Sequence, residues 1–168
     1  MAQDLEITVR RAKARDAEAI ADLVNRALVG PSTVDRLAVI KRLGSVGFLL
    51  AERGADLIGL LGWQAENLIV RVTDLLIWPS SERVDVGRAL VAEMEQAARE
   101  LQCEAVLLFV PHPIQPHMVE FWKKFSYELK LLTDLPAVWQ EAAREAPTDD
   151  DGAVLMKQLR ARRVVRPF

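Results

Sequence analysis

The chain is poor in the residues that build covalent or metal-held structure. It has one cysteine, Cys103, in 168 residues, so an intrachain disulfide is excluded and a reducing compartment is expected. Its two histidines, His112 and His117, are spaced so that they do not share a helical face, and no cysteine or acidic cluster joins them. No metal site is expected. No apolar run approaches the roughly 20 residues that span a bilayer, and the first residues carry no basic segment followed by an apolar stretch. The expectation is a soluble cytoplasmic protein with no membrane partner. The formal net charge is −2, from 22 basic and 24 acidic residues, which argues against nucleic-acid binding by the whole surface. Repeats and low-complexity blocks are absent from the sequence.

What the chain does have is apolar residues, 51% of the total, in a length that suits one domain with a real core. Alternation at Ile7 and Val9 predicts a strand over Glu6–Arg11. Asp16 is the expected cap of a helix whose apolar face is Ile20, Leu23, Val24, Ala27 and Leu28, ended by Gly30-Pro31. Ser32 with Asp35 resembles a capping box opening a second helix that closes at Gly44. Gly47–Glu52 and Leu57–Gln64 read as a hairpin around the turn 53–56, with Gly59 and Gly62 marking close backbone approach or a bulge. Asn67–Trp78 is a third β segment. A helix follows to about Gln102, its expected buried face being Val86, Leu90, Met94, Ala97 and Leu101. The apolar run Ala105–Val110 predicts a buried strand, parallel to the one before the helix. A proline-rich loop, a short helix over His117–Phe125, a strand over Tyr127–Leu132, a helix over Leu135–Glu145 and a strand over Ala153–Leu159 complete the order. It is β, α, α, β, β, β, α, β, α, β, α, β, which makes an α/β domain with a mixed sheet. The domain is expected to cover 1–159, and 160–168 reads as a solvated basic tail.

The chain organises around Asp74–Leu90. An apolar run, Leu75 to Trp78, stops at Pro79, and two serines lead into the long helix. A strand that turns straight into a helix start presents free backbone N–H groups and suits an anion.

This order, with that turn at its centre, resembles the GNAT superfamily of acyl-CoA-dependent N-acyltransferases over almost the whole chain. The resemblance rests on Asp74-Leu75-Leu76-Ile77-Trp78-Pro79 at the strand end and on Gly87-Arg88-Ala89-Leu90 opening the helix. The aromatic joint Phe121-Trp122-Lys123-Lys124-Phe125-Ser126-Tyr127 and the closing Val154-Leu155-Met156-Lys157 add to it. It implies a single GNAT-like domain with a mostly antiparallel mixed sheet and a parallel central pair. It also implies transfer of an acetyl or other acyl group from acetyl-CoA to a primary amine, carried by a small molecule or a protein. The strand backbone at Leu76, Ile77 and Trp78 would hold the acyl arm. Arg83, Val84, Val86, Gly87 and Arg88 would hold the pyrophosphate. Asp74 or His112 would take the proton from the amine.

Several positions depart from the family's pattern. In its Arg/Gln-x-x-Gly-x-Gly/Ala turn, the first slot is Glu82, the first glycine is Asp85, and Gly87 is kept. Carboxylates near a phosphate are costly: two like charges about 4 Å apart repel by about 4 kcal/mol at an effective dielectric constant of about 20, before screening. Arg83 and Arg88 offset part of this. The other reading of Glu82 and Asp85 is structural, as acids favoured in a first helical turn with Ser81 as cap. The family's tyrosine acid falls on Trp122, its joint glycine on Ser126, its strand glutamate near Arg71 and its asparagine on Gln115. The alternative function is therefore a catalytically inert GNAT-like module for binding or regulation. A homodimer is a further expectation, with Trp78 and Trp122 as core or dimer packing.

Overall fold

A computed structural model describes residues 5–28, 30, 33–111, 113–144 and 152–160. The expected order of twelve helices and strands is present. The strands are β1 (Ile7–Arg11), β2 (Gly47–Arg53), β3 (Asp56–Glu66), β4 (Ile69–Ile77), β5 (Ala105–Val110), β6 (Glu128–Leu131) and β7 (Ala153–Gln158). The helices are α1 (Ala17–Ala27), α2 (Arg36–Leu43), α3 (Arg83–Glu100), α4 (Pro116–Lys123) and α5 (Ala137–Arg144). The seven strands form one mixed sheet in the order β1-β2-β3-β4-β5-β7-β6. β4 and β5 run parallel, with Ile69 to Arg71 opposite Ala105 to Leu107. The described residues fall into two compact units, one within 1–64 and 73–94, the other within 65–72 and 95–168.

In the first unit, α1 and α2 cover one face of the β2–β3 hairpin. Ile20, Leu23, Val39, Phe48, Leu50 and Leu60 pack there as one buried cluster. The hairpin turns at Gly54, whose φ of 62° is in the left-handed region that glycine enters without strain. Asp16 does stand at the start of α1, but its carboxylate does not cap the helix. It accepts from the Lys13 backbone N–H at 2.7 Å and forms a two-pronged pair with Arg10 at 2.8 Å. Arg10 also pairs with Glu52 across the β1–β2 ladder. The cap of α2 is Asp35 itself, which accepts from the Ala38 N–H at 2.9 Å. Ser32, the other half of the expected box, lies outside the described residues.

Gly59 explains how α3 comes close to β3. A Cβ at this position would stand 2.6 Å from Val86 Cγ1, 3.1 Å from Leu90 Cδ1 and 3.2 Å from Ala51 Cβ. The buried face of α3 is Val86, Leu90, Val91, Met94, Glu95 and Ala98. It therefore differs at its C-terminal end from the expected face: Ala98 takes the place of Ala97, and Leu101 is exposed. The expected face steps by three from Met94 to Ala97, whereas the packed face continues by four to Ala98, and Leu101 lies beyond the helix end at Glu100.

In the second unit, β5 is nearly fully buried and pairs with β7. Ile69, Leu107, Leu135, Trp139, Val154 and Met156 form its core. The buried acids there, Glu95 and Glu104, are paired. Trp139 Nε1–H donates to Glu104 at 3.0 Å. The Lys157 ammonium donates to both Glu95 oxygens at 3.0 Å, and the Tyr127 hydroxyl donates to Glu95 at 3.0 Å. Among the described residues no helix is long and apolar enough to cross a membrane.

Two outcomes follow from this packing and pairing. Gly59→Ala should destabilise the protein by about 1–3 kcal/mol through overpacking. Trimming Val86 to Ala in that background should restore part of the loss, as read by denaturant unfolding. The hydrogen bonds from Arg10 hold the Asp16 carboxyl at about 2, below its usual 3.8, against the opposing effect of burial. A carboxylate lowered in the folded state stabilises above its unfolded pKa and loses that contribution as pH falls through the folded one. Asp16→Asn should therefore cost about 1–2 kcal/mol near neutral pH, discounted for the exposed Arg10. The difference from wild type should vanish as pH drops from about 4 to about 2.

Candidate functional site

The end of β4 passes into α3 within a few residues. Trp78 leaves the strand with its N–H bonded to Ile58 O on β3 at 3.0 Å, which fixes where the chain departs. A 3-10 turn, Ser80–Glu82, leads directly into α3. In it the Glu82 N–H donates to Pro79 O at 3.1 Å and the Arg83 N–H donates to Ser80 O. Two amides that a helix start would offer are thus used within the chain. Those of Val84 and Asp85 fall in the first turn of α3, where a helix has no acceptor of its own four residues back. The expected helical cap at Ser81 is replaced by this 3-10 turn.

The side chains of this segment divide cleanly. Arg83, Asp85 and Arg88 are exposed, while Val86 and Gly87 are buried against the sheet and Val84 is half-buried. Leu76 and Ile77 are half-buried, and Trp78 is 42% exposed. Glu82 is not an open negative charge. Arg53, the last residue of β2, donates through Nη2 to its carboxylate at 2.8 Å, with both side chains mostly shielded. The charge at Glu82 is cancelled locally, and of the two acids in the turn only Asp85 projects into solvent. Nothing in the sequence pattern ties Arg53 to Glu82. The pair exists because the β2–β3 turn and the end of β4 lie at the same end of the antiparallel ladder.

Asp74 sits on β4 above Gly62 of β3. A Cβ on Gly62 would stand 2.5 Å from Asp74 Oδ2 and 2.7 Å from Thr73 Oγ1, so the missing side chain is what gives the carboxylate its place. Asp74 accepts from Thr73 Oγ1 at 2.7 Å and from Arg42 Nη2, on the last turn of α2, at 2.5 Å. The pair stands beside a cavity of about 280 Å³ between α1, α2 and the sheet, with walls that include Val24, Val34, Phe48, Leu60 and Leu76. Sequence reasoning singled out Asp74 but missed Arg42, which reads as one more basic residue near a helix end.

The remaining candidates lie elsewhere. His112 is outside the described residues, and His117 is exposed in the first turn of α4. Trp122 is 2% exposed, edge-on to Phe121, Phe125 and Tyr127, which makes it a core residue. Tyr127 is the only tyrosine in the chain. Burial first, then the charge of Glu95, pushes its phenol far above the ordinary range, so it has no proton to give to a reaction. Among the described residues no cluster of three metal-ligating side chains exists. The Glu95–Lys157–Tyr127 group is structural in this arrangement. Lys157→Met, which strands a buried carboxylate, should cost about 2–4 kcal/mol in unfolding free energy. Glu95→Leu combined with Lys157→Met should cost less than the single change.

The geometry has counterparts among known proteins. The family model described as "Acetyltransferase (GNAT) family" matches residues 17–127. No curated protein matches this chain in sequence at a significant level. Among solved structures, the ribosomal-protein-S18-alanine N-acetyltransferase from Escherichia coli superposes with a TM-score of 0.68 at 10% identity, covering 97% of this chain and 100% of that one. PaiA N-acetyltransferase from Thermoplasma acidophilum, in complex with coenzyme A, gives 0.67 at 14% identity over 92% and 99%. N-acetylglutamate synthase from Neisseria gonorrhoeae, complexed with coenzyme A and L-arginine, gives 0.65 at 17% identity over 95% of this chain. This chain spans 34% of that longer one. At these identities the likeness is one of fold.

Proposed function

Because the chain belongs to the GNAT acetyltransferase family, we propose that it transfers an acyl group, acetyl in the simplest case, from acyl-CoA to a primary amine by direct attack. The observation that carries this reading is the strand-to-helix turn with its acid at 82 already paired to Arg53. The neighbours solved with coenzyme A support the choice of acetyl-CoA as co-substrate. In this proposal the half-buried strand backbone at Leu76 and Ile77 aligns the pantetheine arm, and Trp78 bounds it. The amides of Val84 and Asp85, with Arg83 and Arg88, face the pyrophosphate. Gly87, within the helix, spends its N–H on the preceding turn and serves through its lack of a side chain.

The amine must reach the thioester carbonyl uncharged. Asp74, or water beside it, takes one proton from the ammonium. Nitrogen then bonds to the carbonyl carbon, the carbon–sulfur bond breaks, and the thiolate takes up the second proton that nitrogen loses. The net products are the amide, free CoA and one proton. A second reading, an inert module, draws on one observation. Trp122, at the place of the family's acid, is a buried indole without an exchangeable acidic proton.

Calorimetry with acetyl-CoA, propionyl-CoA and CoA tests the first step, and an absence of binding at millimolar ligand overturns the proposal. Turnover with a panel of amines decides between the two readings. Arg53→Gln should weaken CoA binding about tenfold by exposing the charge of Glu82. Arg53→Gln with Glu82→Gln should recover most of it.

A further inference from the structure

The cavity beside Asp74 has a lining of a particular kind. Of its eleven lining residues nine are apolar, and the other two are Arg42 and Asp74. These two are bonded to each other, and they remain 48% and 29% exposed. A half-solvated pair of this sort adds little to stability. Its place, with an apolar chamber on one side and β4 beneath it, fits recognition better. From this juxtaposition we infer that the acceptor is a zwitterion with an apolar body: a free α-amino acid with an aliphatic or single-ring side chain. The inference rests on the acyltransferase reading above and names the substrate class for it.

The charges decide the class. An α-amino acid carries an ammonium and a carboxylate on one carbon, so it can insert between Asp74 and Arg42 and give each a new partner. The four charges then alternate, and no group is left alone. A simple amine brings only the ammonium, which must compete with Arg42 for Asp74. A dicarboxylate leaves one anion against Asp74 with no cation for it. The chamber, walled by Val24, Val34, Phe48, Leu60 and Leu76, excludes a charged side chain and rewards an apolar one.

The same pair supplies a route to release. Acylation turns the ammonium into a neutral amide: the amine nitrogen loses two protons, one to Asp74 or water and one to the departing thiolate, as the carbon–sulfur bond is replaced by carbon–nitrogen. The product keeps its carboxylate but no longer offers Asp74 a cation. Arg42 is drawn back to Asp74, and the product loses its hold.

The test compares leucine, leucinamide and isoamylamine as acceptors of acetyl from acetyl-CoA. Leucine should exceed both others in kcat/KM by about tenfold or more. Arg42→Gln should bring the ratio of leucine to isoamylamine close to one, mainly through KM, and Arg42→Lys should keep part of it. Thermal unfolding of each variant reports any loss of structure. Equal or better use of leucinamide or isoamylamine by the wild-type protein overturns the inference while leaving the acyltransferase reading intact. Should no acceptor turn over, saturation-transfer NMR of leucine against isoamylamine on the unliganded protein still decides. A leucine signal that is present with the wild type and vanishes with Arg42→Gln supports the inference. A wild-type protein that gives leucine no signal overturns it.

Discussion

Two missing side chains on β3 set the geometry that everything else uses. Gly59 and Gly62 project toward opposite faces of the strand. At Gly59 the helix α3 comes so near that a single carbon would collide with Val86 and crowd Leu90 and Ala51. At Gly62 the space is taken by the carboxylate of Asp74 and the hydroxyl of Thr73. One strand therefore fixes both the helix whose start faces the proposed anion and the acid that faces the proposed amine. A glycine within a strand weakens it by losing packing and backbone order. That cost is tolerated here because each space is filled by a group from another element, apolar on one face and polar on the other.

The buried acids Asp16, Glu95 and Glu104 and the half-buried Asp74 and Glu82 follow a second rule: each meets a cation or a donor outside its own element. Asp16 meets Arg10, Glu82 meets Arg53, Asp74 meets Arg42, and Glu95 meets Lys157. Glu104 meets the indole of Trp139. Burial of a charge without such a partner costs several kcal/mol, so the pairing is a condition of the fold as much as a decoration of it. It also changes the electrostatics of the turn. Two carboxylates side by side would repel a phosphate strongly, but one of them is already bound to a guanidinium.

These pairs mark the boundary of what the sequence could reveal. The order of elements was legible because it depends on local signals: alternation in β1, the apolar run of β5, and the periodicity of α1 and α3. Gly59 and Gly62 were legible as well, since a glycine inside a strand pattern has few explanations. Caps were less so. Asp35, read as the far end of a box, is the cap, because a single carboxylate can reach the N–H three residues on without help from Ser32. The buried Ala98 was missed because after Met94 a three-residue step and a four-residue step fit the pattern equally well, and Leu101 was read as helical although α3 ends at Glu100. Arg42 and Arg53 could not have been found at all. Each is one arginine among many, and its meaning comes only from the strand or helix end that the sheet brings to it.

The absence of a tyrosine acid bears on how demanding the proposed chemistry is. An acid helps most when the leaving group is a poor one. A thiol, with an ordinary pKa near 8.5, departs as thiolate with little assistance and then takes up the second proton that nitrogen loses. Removal of the proton from the ammonium is the harder requirement, since an alkyl ammonium of lysine type holds its proton to about 10.4. A carboxylate close to that ammonium stabilises the charged form and raises the barrier to deprotonation. The acceptor's own carboxylate would add to this effect, but in the proposed complex it is paired with Arg42. The guanidinium screens that second anion from the ammonium and so lowers the cost of forming the neutral amine. The pair thus balances two needs that pull in opposite directions, capture of a cation and its conversion into a nucleophile, and a lone aspartate on β4 would meet only the first.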